Sequence, residues 1–208
     1  METPQIDTGK LPQEPLNIKH LLRLPAETPF GDMGLKHTKI LQRIDHINKK
    51  LQHVYKDWQA STQGEFDPSH DISNHLLWIE EICYFLRVTT DELISLCYLF
   101  YIKKKNNDYP TNIEIHSIGQ LTNNYDQKNN EHYDFRQRFS QSFSWLKTIN
   151  RITNAYKHSF TNSHISIIGR EEPCIPTLHY HKNNLENEQE FRNTSLAEVI
   201  RGFNNFIS

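Results

Sequence analysis

The chain has 208 residues, and 23 Lys and Arg against 25 Asp and Glu give it a formal net charge of -2. This length suits one domain of ordinary size with a sizeable core and excludes two large domains. A mean hydropathy of -0.72 together with 36% hydrophobic residues is typical of a soluble globular protein. The near-neutral charge excludes a global basic field, so any nucleic-acid binding must depend on a local patch.

The sequence also predicts where the protein works. Its longest apolar stretch, Leu93 to Ile102, is much shorter than the roughly 20 residues that cross a bilayer, so we expect no membrane partner. The first ten residues carry acid and proline but no apolar segment of a secretory signal. Three cysteines without a CxxC spacing favour reduced thiols over a disulfide framework. These features predict a cytoplasmic location.

The N-terminal third of the chain divides into an arm and a helix. Closely spaced prolines in residues 1–30 predict an arm that either docks or stays loose, and residues 31–208 are predicted to form a single domain. From Leu35 to Trp58 the apolar residues step by three and four, which predicts a long amphipathic helix. Asp67 and Pro68 then signal the start of a second helix, over residues 68–87.

The remaining elements complete a bundle. Thr89 or Thr90, with the acidic residues that follow, predicts the start of a third helix whose apolar residues 93–102 would be central and buried. A short helix is predicted within residues 113–125 and a fourth long helix over residues 131–160. Residues 164–168 and 175–181 are β-prone and could pair as a hairpin, and Ser195 would cap a C-terminal helix. The predicted fold class is therefore mainly α, a bundle of about four core helices with a small C-terminal β-hairpin and a final helix.

One polar segment on the fourth helix suggests chemistry. At 100° per residue, Arg151, Asn154 and His158 lie at relative angles of 0°, about 300° and about 340°, so they project from one face. Such a face offers a fixed cation, an amide and an imidazole that exchanges a proton near neutral pH. These are the parts of a metal-independent phosphodiester cleavage, in which the imidazole moves protons and the arginine neutralises charge developing on the phosphorane.

A helical bundle with an arginine and a histidine separated by six residues late in its last core helix resembles the HEPN superfamily (higher eukaryotes and prokaryotes nucleotide-binding domain). The architectural match covers roughly residues 35–160, and the motif covers Arg151 to His158 only. The resemblance implies an all-helical homodimer that binds RNA or a nucleotide, often as an endoribonuclease of toxin or antiphage-defence systems with an antitoxin or defence protein as partner. It implies catalytic roles for Arg151 and His158, and Asn154, as the nearest amide, is the third catalytic candidate, whereas Ile152 stands where the family commonly has a polar residue.

The residues around the motif complete the candidate site. Asn150, Tyr156 and Lys157 are candidates for substrate binding, and neither a metal nor a cofactor is expected. Three interpretations of this segment stay open: ribonuclease chemistry, non-catalytic nucleotide binding, and a structural or protein-interaction role in which the polar groups cap the helix end. Whether the protein is an enzyme is left open with them.

Other polar residues suggest weaker alternatives. His179 and His181 would share one face of a strand, and with His164 and Cys174 nearby they could in principle bind zinc. The lysine run 103–105 closes an apolar helix, where such a run usually complements the helix dipole. Arg136 and Arg138 are candidates for a local basic surface.

Overall fold

The computed structural model describes residues 2–8, 23–63, 72–123, 132–158, 171–180 and 189–208. Within them the chain is mainly helical, with one two-stranded antiparallel hairpin followed by a C-terminal helix. This confirms the predicted fold class. The predicted strand at residues 164–168 and the Asp67–Pro68 helix start lie outside the described residues.

Two long helices form the centre of the bundle, α1 (Met33–Thr62) and α2 (Ile72–Asn106). The Asp32 side chain caps α1 by accepting a hydrogen bond from the Leu35 N–H at 3.1 Å. The buried face of α1 follows the predicted spacing and comprises Met33, Ile40, Leu41, Ile44, Ile47, Leu51, Val54, Tyr55 and Trp58. On the side of α1 that meets α2, Arg43 pairs with Glu92 at 2.9 Å.

The predicted break between a second and a third helix is wrong, because α2 continues through Thr89 and Thr90. Both threonines are fully buried, and the Thr90 hydroxyl donates to the Leu86 carbonyl one turn earlier at 2.7 Å. Asp91 pairs with Arg87 on the preceding turn at 2.9 Å. Residues that favour a helix start are therefore accommodated in the interior of the helix, where Thr90 and Asp91 find partners one turn earlier in α2.

The short helix predicted within residues 113–125 is confirmed as α3 (Ile118–Thr122). The predicted fourth helix is divided, because α4 (Tyr133–Gln137) is followed by a 3-10 turn at Ser140–Ser142 and then by α5 (Phe143–His158). The interruption turns Phe139 towards the C-terminal helix, where its ring stacks on Phe206 with centroids 6.0 Å apart. Aromatic packing thus takes precedence over helix continuity at this point.

The hairpin pairs β1 (Cys174–Tyr180) with β2 (Gln189–Ser195), in a register that sets Cys174 opposite Ser195 and Tyr180 opposite Gln189. The second strand is polar and was not predicted. Its last residue, Ser195, begins the next element, because its hydroxyl accepts from the Glu198 N–H at 3.2 Å and caps α6 (Leu196–Ile207) as predicted.

The described part of the N-terminal arm is docked. Asn48 on α1 accepts from the Ile6 N–H at 2.8 Å and donates to the Ile6 carbonyl at 3.0 Å. Asn204 on α6 accepts from the Asp7 N–H at 3.2 Å and donates to the Gln5 carbonyl at 2.8 Å. Ile6 between them is buried in the main core. Residues 2–8 therefore bridge the first and the last long helices.

Candidate nucleic-acid interface

The site predicted from sequence lies on α5, whose position is set by its apolar face. Leu146, Ile149 and Ile152 are buried in the core, and the helix contacts α2, α3 and β1. Ile152, directly after Arg151, is one of these core residues. The opposite face of α5 carries the polar residues of the motif.

Arg151 lies on the surface beside the hairpin. Its guanidinium donates to the Glu190 carboxylate on β2 at 2.6 Å, and the two side chains are 46% and 41% exposed. The other oxygen of Glu190 accepts from the Arg192 Nε at 2.5 Å. Two arginines thus share one carboxylate at the junction of α5 and β2.

Asn150 is held by a residue of α2. Arg87 on α2 donates to its side-chain oxygen and, at 3.3 Å, to the Thr153 hydroxyl. The same guanidinium donates to Asp91 at 2.9 Å. Asp91 in turn accepts from the Ile118 N–H at 2.7 Å. Asn150 therefore belongs to a network that joins α2, α3 and α5, and its amide oxygen is already engaged.

The other motif residues differ in their surroundings. Asn154 is half-buried, and within the described residues its side chain makes no hydrogen bond. Lys157 is exposed. His158 is the last residue of α5, and its side chain lies outside the described part of the chain. The helix is unbroken from Arg151 to His158, so the backbone keeps the angular relation that the sequence predicts.

Tyr156 is not a surface group. Its hydroxyl donates to the Pro176 carbonyl on β1 at 3.4 Å, and burial raises the pKa of its phenol above the ordinary value. The side chain packs against the main core. Tyr156 thus joins α5 to the hairpin, and its contacts are those of a structural residue.

The structure bears in part on the three weaker alternatives, namely the zinc site, the lysine run and the basic surface. Among the described residues no group of three metal-ligating side chains is close enough to hold a metal, while His164 and His181 and the side chain of His179 lie outside the described part. Lys103 donates to the Asn107 carbonyl at 2.8 Å and so closes the end of α2. The prediction of a basic surface is wrong for Arg136, which is 8% exposed and donates to the Gln120 carbonyl at 3.1 Å. Burial lowers the pKa of this guanidinium from its usual value.

Sequence reasoning missed Arg87 and Glu190, whose side chains contact the motif from other elements. Arg87 and Asp91 carried a detectable signal, an opposite-charge pair four residues apart on a helix. Glu190 carried none, because its pairing with Arg151 depends on the fold of a polar strand 39 residues further along the chain.

Comparison with known proteins adds no relationship. No family model, no curated protein and no solved structure matches the chain. In the described part of the chain, no helix combines the length and the apolar character that a membrane crossing requires.

Proposed function

We propose that the protein is a HEPN-like RNA-binding protein that acts as a homodimer, and that Arg151 and His158 on α5 cleave RNA without a metal. The observation that carries this proposal is the continuity of α5 from Phe143 to His158. Seven residues further along a helix, His158 lies about 10 Å from Arg151 along the axis and within about 20° of the same direction. Backbone positions related in this way allow an arginine and a histidine to act on one phosphodiester from the same side.

The ion pair of Arg151 supports a role in phosphate binding. Because Arg151 and Glu190 are both nearly half exposed, their pairing contributes about 1 kcal/mol or less. A phosphate can replace the carboxylate at small cost and gains a bidentate, charge-assisted contact with the guanidinium. Glu190 then acts as a competitor that keeps the arginine oriented until RNA binds.

The chemistry follows from the residue types. The imidazole of His158 would accept the proton of the attacking 2′-hydroxyl or donate one to the leaving 5′-oxygen. The guanidinium of Arg151 would stabilise the negative charge that develops on the phosphorane. Asn154, whose amide has no partner among the described residues, is available to orient the substrate. Asn150 and Tyr156 support α5 instead, through Arg87 and through the hairpin.

The dimer supplies the second half of such a site. A single copy offers one arginine and one motif histidine on one helix, and a two-fold axis along this face would bring a second set opposite. The HEPN resemblance supports a toxin or antiphage-defence system with an antitoxin or defence protein as partner, and the N-terminal composition and the cysteines support a cytoplasmic location. These partners are part of the proposal.

The proposal is tested with purified full-length protein, an end-labelled RNA panel and EDTA. We expect cleavage that EDTA does not abolish and products with 2′,3′-cyclic phosphate ends, because the proposed groups include no carboxylate cluster for magnesium. His158→Ala should abolish cleavage and leave the circular dichroism spectrum unchanged. Arg151→Ala should lower the single-turnover rate more than it weakens RNA binding.

Matched variants make the outcome specific. His53→Ala changes an exposed histidine on α1 and Arg23→Ala an exposed arginine in the arm, and both should cleave like wild type. Glu190→Gln should strengthen RNA binding, because the competitor for Arg151 is neutral. If a folded His158→Ala protein cleaves RNA as fast as wild type, the proposed nuclease mechanism is wrong. If the protein shows no salt-dependent RNA binding, the RNA proposal is wrong and the structural or protein-interaction role is favoured.

A further inference from the structure

A cavity of about 420 Å³ lies away from α5, between the docked N-terminal segment, α1, α6 and the residues before β1. Pro4, Ala197 and Ile200 give it an apolar lining, and Tyr55, Glu172 and Arg201 contribute its polar side chains together with neighbouring residues. Small-molecule sites in proteins are typically apolar clefts of roughly 300–1,000 Å³ with a few convergent polar groups. The cavity, referred to below as the Tyr55 cavity, has both properties.

Tyr55 provides the first indication of a ligand. Its side chain is 1% exposed, and its buried hydroxyl has no hydrogen-bond partner within the described structure. Buried hydroxyls are nearly always paired, because burial removes their hydration without compensation. Burial, reinforced by the negative charge of Glu172, raises the pKa of Tyr55 to about 12. The phenol is therefore neutral at physiological pH and keeps a hydrogen that no described residue accepts.

Arg201 and Glu172 provide the second indication. Neither side chain has an ion-pair or hydrogen-bond partner among the described residues. Both charges nevertheless lie close enough to act on the Tyr55 phenol, and they act in opposite directions. Among the described residues the cavity therefore presents a cation and a carboxylate that do not pair with each other, with a hydroxyl donor near both.

We propose that the Tyr55 cavity binds a small zwitterion of the free amino-acid class. Arg201 and the Tyr55 hydroxyl would hold its carboxylate, Glu172 would hold its ammonium group, and the apolar lining would contact its side chain. A simple anion would leave Glu172 unpaired next to it, and a simple cation would leave Arg201 unpaired. None of these residues lies on α5, so this inference is independent of the RNA proposal.

The N-terminal segment couples this site to the rest of the fold. Pro4 and Gln5 form one wall, and Asn204, which also lines the cavity, holds the Gln5 carbonyl at 2.8 Å. A ligand in the cavity would contact both sides of this junction. Binding should therefore slow hydrogen exchange at residues 5–7.

The experiment uses the full-length protein, with thermal unfolding and calorimetry as measurements. Each common L-amino acid is titrated, and the best binder is compared with its des-amino acid and its decarboxylated amine. We expect at least one amino acid to bind saturably and to raise the unfolding temperature, and both analogues to bind about tenfold more weakly or worse, because each leaves one charge in the cavity unpaired.

Substitutions identify the site. Tyr55→Phe, Arg201→Gln and Glu172→Gln should each weaken binding by about tenfold. Tyr98→Phe, at another buried tyrosine, and Arg192→Gln, at an exposed arginine on β2, are matched controls that should bind like wild type. If Tyr55→Phe does not fold, the Arg201→Gln and Glu172→Gln variants still test the proposal, because these positions are at least partly exposed. Failure of every amino acid to bind, equal binding of the des-amino acid, or wild-type affinity in Arg201→Gln and Glu172→Gln would overturn the proposal.

Discussion

The indole of Trp145 on α5 occupies the space beside Gly202 on α6. A methyl group at position 202 would lie 2.6 Å from the Trp145 Cγ, much closer than non-bonded carbons approach. The same indole donates its N–H to the Val199 carbonyl at 2.9 Å and packs against Phe203 and Phe206. Only glycine allows α6 to approach α5 this closely, so this residue fixes the position of the C-terminal helix.

Gly202→Ala should therefore destabilise the protein by about 1–3 kcal/mol through overpacking. Gly119→Ala is the matched control, because a methyl group there meets only the Ser117 hydroxyl, at an ordinary 3.9 Å. This control should be neutral or stabilising by about 0.4–1 kcal/mol, since alanine restricts the unfolded chain. Urea denaturation of the three proteins measures both changes. Equal stability of Gly202→Ala and wild type would show that the α5–α6 contact is misplaced.

The hydrogen bond from Arg87 makes Asn150 a structural residue. Asn150→Ala should lower the free energy of unfolding by about 1 kcal/mol, because the guanidinium loses one acceptor. Asn154→Ala is matched to it on the same helix. Both changes gain the same intrinsic helix propensity, so the difference between them isolates the hydrogen bond.

Chemical denaturation and RNA titration together separate the two asparagines. Asn154→Ala should have a smaller effect on stability than Asn150→Ala and, if the RNA proposal is correct, a larger effect on cleavage. A loss of RNA binding in Asn150→Ala without a loss of stability would instead support the role in substrate binding that the sequence suggested.

The contrast between local and distant contacts explains which features could be predicted. The apolar spacing from Leu35 to Trp58 and the Ser195 cap depend on residues within a turn or two of each other, and both predictions are confirmed. The predicted helix start at Thr89 or Thr90 is wrong because a threonine hydroxyl, which can cap the start of a helix, can also hydrogen-bond within a helix, as that of Thr90 does.

Contacts between residues far apart in the chain produce no such pattern in the sequence. The polar strand β2 forms because β1 pairs with it, and its own residues carry no strand periodicity that would reveal it. The Glu190 partner of Arg151 depends on this strand pairing, and the Arg87 partner of Asn150 depends on the packing of α2 against α5. The motif residues could therefore be named from the sequence, but their partners could not.

Docking of the N-terminal segment should depend on Asn204. Asn204→Ala removes the hydrogen bonds to the Asp7 N–H and the Gln5 carbonyl, so residues 5–7 should exchange their amide hydrogens faster. The neighbouring Asn205→Ala is the matched control, since Asn205 is exposed and the hydrogen bonds from α6 to the segment come from Asn204. Hydrogen exchange with mass spectrometry compares the two. Unchanged protection in Asn204→Ala would mean that Asn48 and the burial of Ile6 are enough to hold the segment.

His75 on α2 should make the protein less stable in mild acid. Its side chain is 3% exposed, and its Nε2 has no hydrogen-bond partner in the described structure. Burial lowers its pKa from 6.5, and this effect exceeds the opposing influence of Asp57. Between the unfolded and the folded pKa the unfolded state binds more protons, so the free energy of unfolding falls as the pH drops below about 6.5, by at most about 1.4 kcal/mol per pH unit for this group.

Urea denaturation at a series of pH values from about 7.5 to about 5 measures this dependence. His75→Leu should reduce the slope, because the variant has no imidazole to protonate at this position. Part of the slope should remain, since burial also lowers the pKa of His37. His53→Gln, at an exposed position on α1, should keep the wild-type slope. If His75→Leu loses stability with falling pH as steeply as wild type, the acid sensitivity arises from other groups and His75 is not held in its neutral form by burial.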